Sequence, residues 1–163
     1  MMRQHTVVVI TLATALLMNV SDAPVRAAMQ ADPHTGTWVL NVAKSKYTPG
    51  PSPKEQTSVY TVKGDTLTVS TKRTSADGKP LTTDFTATFD GKDYPVKGTP
   101  DYDAVSAKRV NSQTIEFTRK KAGKVVQTAR SEVSQDGHTR TITTTGVNAA
   151  GIKISQTGVY DKK

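Results

Sequence analysis

Three arginines fall at positions where apolar residues would be expected. Arg109 alternates with Val105 and Ala107, Arg119 with Ile115 and Phe117, and Arg140 with Ile142. Residues two apart in an extended chain share one face, so each guanidinium is predicted to share the apolar one. A buried guanidinium keeps its charge and is costly without a partner. Two arrangements meet that demand. The arginines lie at a barrel mouth, stems on apolar surface and heads in water. Alternatively they form the polar end of an apolar cavity, suited to a carboxylate or another anion on an apolar body. Arg119 adjoins the basic stretch Lys120, Lys121 and Lys124, which favours the mouth for it. Arg109 is the leading contact for an anionic ligand, Arg140 is another, and Phe85, Phe89 and Phe117 are candidates for apolar lining.

Other chemistry finds little support. His34 precedes the first predicted strand and His138 stands beside a turn. Neither has a Cys or His at metal-ligand spacing, and nothing nearby suggests a histidine beneath a nucleophile. Asp90, Asp93, Asp101 and Asp103 cluster but lack the ordered spacing and closing Glu of a calcium loop, so a solvated acidic loop is expected. Tyr47, Tyr60, Tyr94 and Tyr102 read as rim or core residues. No enzyme activity, cofactor or metal is expected.

The elements that must position these side chains are strands. The chain is rich in threonine, whose branched Cβ suits a pleated surface. Glycine-bearing turns recur, three of them Asp-Gly (Asp77-Gly78, Asp90-Gly91, Asp136-Gly137), a strong hairpin signal. Strands are predicted over 37–41, 56–63, 66–73, 81–89, 94–96, 104–110, 114–120, 124–133, 138–145 and 152–160. Pro49, Pro51 and Pro53 exclude a regular helix after the first strand, although a short helical turn fits within residues 42–46. So long a meander exposes two edges, and closing it removes them. The predicted class is all-β, an up-and-down antiparallel barrel of 8–10 strands.

Several faces follow from alternation. Leu81, Thr83, Phe85, Ala87 and Phe89 point inward. A three-residue loop at Asn111-Ser112-Gln113 pairs Lys108 with Glu116 on the outer face and turns Arg109 in with Ile115. For residues 124–133, Val125, Ala129 and Val133 compete with Val126, Thr128 and Arg130, and the face stays open. The only tryptophan lies in Gly36-Thr37-Trp38-Val39-Leu40, where Gly36, Trp38 and Leu40 form the predicted barrel floor.

Residues 1–27 read as a signal peptide. Arg3 precedes an apolar run from Val7 to Val20, too short to span a bilayer as a helix, and Val25-Arg26-Ala27 offers a small-residue cleavage site. Residues 28–35 are expected to be a flexible lead-in and residues 36–163 the barrel. The expected location is periplasmic or secreted, with no stable membrane insertion after cleavage. The chain has no cysteine, so its core alone must hold it. Its net charge of +8 is spread along the sequence. Such a charge attracts polyanions and also solvates a strand-rich surface, and no specific nucleic-acid partner is indicated. A monomer is expected.

Gly36-Thr37-Trp38 resembles the Gly-x-Trp that opens the first strand of the calycins, the lipocalins and fatty-acid-binding proteins. Thr157-Gly158-Val159-Tyr160-Asp161-Lys162 resembles the last strand of the fatty-acid-binding proteins. The resemblance implies their ten-strand barrel and makes Tyr160 a ligand contact. It departs at Gly158, where those proteins carry a carboxylate-gripping arginine, and at the proline-rich connection that replaces their helical lid. Two functions stay open: a carrier of a small hydrophobic or amphipathic, anionic molecule, and a packed interaction module whose basic surface meets a polyanion or protein.

Overall fold

The computed structural model describes residues 31–163, so the expected leader lies outside the described residues. Eleven strands follow in order: β1 (Gly36–Leu40), β2 (Lys46–Thr48), β3 (Glu55–Lys63), β4 (Thr66–Thr74), β5 (Pro80–Thr88), β6 (Tyr94–Lys97), β7 (Ala104–Asn111), β8 (Thr114–Lys121), β9 (Lys124–Val133), β10 (Thr139–Val147) and β11 (Lys153–Lys162). From β3 onward each strand pairs antiparallel with the next, and β1 pairs with both β3 and β11. Ten strands therefore close into an up-and-down barrel. Closure satisfies the backbone groups that a flat sheet would leave at its edges.

The eleventh strand comes from the first connection. A 3-10 turn over Val42–Lys44 interrupts the chain after β1, capped by the Asn41 side chain, which accepts from Lys44 N at 3.2 Å. The chain then resumes along the same partner: Leu40 pairs with Tyr160, and Lys46 with Thr157. β1 and β2 are thus one interrupted strand on β11. Sequence reasoning left room for the turn within residues 42–46 and left Tyr47 in the irregular connection.

The predicted alternation along β5 holds: Ala87 is buried and Phe85 half-buried, while Thr82, Asp84 and Thr86 face solvent. Lys108 stands opposite Glu116 and Arg109 opposite Ile115, as predicted, but the turn is two residues, Ser112 and Gln113, rather than three: Asn111 pairs with Thr114, and a bulge at Val110 takes up the extra residue. Glu116 forms its ion pair with Arg130 at 2.7 Å. Along β9, Gln127, Ala129, Ser131 and Val133 face inward. Val125, which shares their parity, is 58% exposed. The register slips between Arg119 and Lys120, so that Val126 is an extra residue there, and the bulge turns Val125 outward.

That bulge explains Gly146. It lies opposite Gln127 with φ at +142°, and a Cβ there would drive into the Val126 carbonyl oxygen. Gly146→Ala should therefore cost about 1–3 kcal/mol, read as a lower urea midpoint at unchanged slope. An unchanged midpoint would show that the bulge relaxes freely.

The two ends of the barrel differ. At one end Asp32 to Thr35 cross the barrel and close it. Thr35 Oγ1 accepts from Val62 N at 3.0 Å, Lys162 Nζ donates to Pro33 O at 3.2 Å, and His34 is fully buried. Residues 31–35 belong to the stretch expected from sequence to be a flexible lead-in. The buried core, including Trp38, Leu40, Leu67, Val105 and Ile115, lies above this plug. The other end, ringed by the turns after β4, β6, β8 and β10, is open.

Candidate binding cavity

A cavity of about 420 Å³ occupies the open half of the barrel. Its depth follows from alternation on strands that run from the floor to the mouth. β4 contributes Val69, Thr71 and Arg73 in successive inward positions; β11 contributes Tyr160, Gly158, Gln156 and Ile154. Val69, Phe85, Ile142, Tyr60 and Tyr160 make the deep part apolar and aromatic. Towards the mouth the lining turns to hydroxyl, amide and guanidinium groups, with Tyr47, Pro49 and Gly50 completing one side. Gly158 gives room for the Tyr160 ring, since a Cβ there would lie 2.9 Å from Tyr160 Cε2.

Two arginines reach this space from different walls, Arg73 on β4 and Arg119 on β8. Arg119 stacks over the Tyr102 ring at 4.9 Å, and its Nη1 donates to Gln127 Oε1 at 3.0 Å. Gln127 is itself oriented by donating from Nε2 to Val147 O at 3.0 Å. Arg73 Nε is enclosed and has no hydrogen-bond partner. Among the described residues neither arginine has a carboxylate within ion-pair distance. The one acidic lining residue, Asp101, accepts from Ala149 N at 2.9 Å. Unpaired guanidinium groups in a semi-enclosed space favour an anion.

Tyr160 supplies a neutral hydroxyl to the same wall. Burial pushes its pKa well above the ordinary phenol range, and its oxygen accepts from Gln56 Nε2 at 2.9 Å. Burial also raises Tyr47, against the opposing influence of Tyr160's hydroxyl and Arg73's charge.

The residues singled out from sequence divide between the two ends. Tyr160 and Phe85 line the cavity, and Arg119 lies at its mouth. Phe117 packs edge-on against Phe85, with ring centroids 6.2 Å apart. Arg109 is at the plugged end: its guanidinium sits 4.3 Å from the Phe89 ring centroid, and its Nη2 is 2.6 Å from Asp32 Oδ2. That contact is a charge pairing off the hydrogen-bond axis, since Nη2 makes no aligned hydrogen bond. Arg140 is wholly buried behind the cavity floor, 3.5 Å from the Tyr60 ring centroid. Gly36 and Trp38 also belong to the plugged end, where the stem of Lys162 packs on Gly36 and its Nζ lies 5.0 Å from the Trp38 ring centroid. Leu40 is in the buried core and outside the cavity lining.

Sequence reasoning did not single out Arg73, Gln56 or Gln127. The signal for Arg73 was available, because Leu67, Val69, Thr71 and Arg73 alternate on β4. Gln127 was hidden by the bulge that confuses the two faces of β9. Searches against protein-family models and against curated proteins find no match to this chain.

Proposed function

We propose that this barrel binds a small amphipathic anion in its open-end cavity. Its acidic group would sit among Arg73, Arg119 and Tyr160, with its apolar body on Val69, Phe85 and Ile142. The observation that carries this reading is the pair of guanidinium groups lining one cavity, neither with a carboxylate partner among the described residues. The volume of about 420 Å³ falls in the range of small-molecule sites, roughly 300–1,000 Å³. The resemblance to the calycins at Gly36-Thr37-Trp38 is in keeping with a carrier, as is the leader-like start, with which we place the protein in the periplasm or outside the cell. The hydroxyl and amide groups near the mouth favour a compact aryl or short-chain acid over a long fatty acid.

A panel of aryl carboxylates, aryl sulfates and medium-chain fatty acids, followed by calorimetry, tests this. Charge-assisted hydrogen bonds contribute roughly 1.5–3 kcal/mol. Arg73→Met and Arg119→Met should each weaken the best-binding probe about tenfold or more. Arg109→Met, at the plugged end, should leave it within twofold. If wild type gives no saturable signal with any probe, or if Arg109→Met weakens binding as much as Arg73→Met, the cavity reading fails. Binding only to long polyanions, abolished by salt, would support the interaction module instead.

A further inference from the structure

A second group of side chains, separate from the cavity, has unmet hydrogen-bonding demands. Arg140 on β10 is 0% exposed, and among the described residues its Nε, Nη1 and Nη2 all lack a hydrogen-bond partner. Its faces are occupied by aromatic rings: Tyr60 at 3.5 Å, Trp38 at 5.3 Å and Tyr160 at 5.6 Å from Cζ to the ring centroids. Aromatic faces offset part of the charge, but N–H donors in the guanidinium plane still need acceptors. A guanidinium does not shed its proton to escape this cost. Among the described residues no carboxylate lies within ion-pair distance of it; Asp32, the acid of the plug, is engaged with Arg109.

Two further buried polar groups lie at this end. Ser131, 0% exposed on β9, has no partner for Oγ. It lies opposite Ile142 while Arg140 lies opposite Val133, so the two are diagonal neighbours on the inner face, within reach of a long side chain. His34 is also 0% exposed, and among the described residues neither ring nitrogen makes an aligned hydrogen bond. It is tied to the same place because its carbonyl accepts the Trp38 indole N–H at 2.9 Å. Arg140's positive charge bears on its imidazole, as do Asp32 and Arg109, and the main chain of Gln113 stands as an acceptor for its N–H.

We propose that the plugged end holds one small monovalent inorganic anion of halide size, taken by Arg140 with Ser131 as a further donor. Both groups can donate: guanidinium N–H and hydroxyl O–H. A spherical anion accepts from several donors without a directional requirement and neutralises the buried charge. Water could accept the hydrogen bonds and would leave the charge uncompensated. The Tyr60 and Tyr160 rings stand between this site and the cavity, so the halide and the amphipathic ligand are separate occupants.

The test uses the whole chain. Thermal unfolding is measured across sodium chloride concentrations, with sodium gluconate holding the ionic strength constant. A ligand bound only by the folded state raises its unfolding midpoint with concentration. The wild-type midpoint should rise by roughly 5–10 °C at chloride about a hundredfold over Kd. Arg140→Met should remove the chloride response, and Arg73→Met should retain it. Replacing a buried ion with an apolar residue is often tolerated; Ser131→Ala serves as a milder variant, expected to shift the chloride midpoint severalfold higher. Crystals grown in bromide should show an anomalous peak between Arg140 and Ser131. Water density there without anomalous signal, and a wild-type midpoint indifferent to chloride, would overturn the proposal.

Discussion

Trp38→Ala should lower the unfolding free energy by about 3–5 kcal/mol, the range for truncating a large core aromatic. Trp38 is completely buried. It pairs with Ser58 on β3 and Lys162 on β11, so it stands at the seam where the barrel closes. Its indole N–H holds the His34 carbonyl, and its ring carries Arg140 and Lys162. Alanine removes the volume, the hydrogen bond to the plug and an aromatic surface for two cations together. Trp38→Phe keeps a ring and loses only the donor and some volume, so its cost should be clearly smaller. Urea unfolding followed by far-ultraviolet circular dichroism measures both. An unchanged midpoint for Trp38→Ala would mean that the seam does not depend on this side chain.

The second large effect concerns acid. Burial, with Arg140's charge next, lowers the His34 pKa from 6.5 to about 4. The unfolded chain therefore takes up a proton near pH 6.5, while the folded chain resists until about pH 4. The stability held by a neutral His34 is fully present above pH 6.5 and is lost as pH falls towards 4. One pKa unit corresponds to about 1.4 kcal/mol, so the loss across this window should approach 3 kcal/mol. Urea midpoints taken between pH 7 and 4 in chloride-free buffer should show this decline, and His34→Gln should remove most of it. A wild-type midpoint flat from pH 7 to 5 would place His34 in contact with water. Asp77, held down to about 2 by Ser75 and Lys79, is fully exposed, and its titration lies below the window.

How much of this was legible in the sequence depends on how local each cause is. The ten barrel strands, the inward row from Leu81 to Phe89 and the Lys108–Glu116 register rest on alternation and turn chemistry within one hairpin. Each of those signals sits within about a dozen residues. The bulge at Val126 depends on how β8 and β9 fit together, and alternation by itself could not place it. The plug depends on the barrel already being there. Asp32-Pro33-His34-Thr35 has no periodicity, and His34 becomes buried only because Val62, Trp38 and Lys162 hold the segment across the end. The arginines show the same division. Alternation correctly turns Arg109, Arg119 and Arg140 inward, but which end of the barrel each occupies is set by strand order and direction. Arg109 and Arg119 lie on consecutive strands and reach opposite ends, one to Asp32 and the other to the cavity.

The interrupted first strand has a consequence for self-association. Among the described residues β2 pairs only with β11, so its other edge presents backbone donors and acceptors beside the mouth. An unpaired edge is a template onto which another chain can add a strand, and repeated addition leads to polymer. Here the edge is three residues long, with Lys46 and Thr48 exposed. Pro49, Pro51 and Pro53 follow at once, and proline cannot donate to a ladder. From sequence these prolines served only to exclude a helix. In the barrel they stop the pairing frontier from advancing, so that a neighbouring chain cannot zip the mouth shut along this edge.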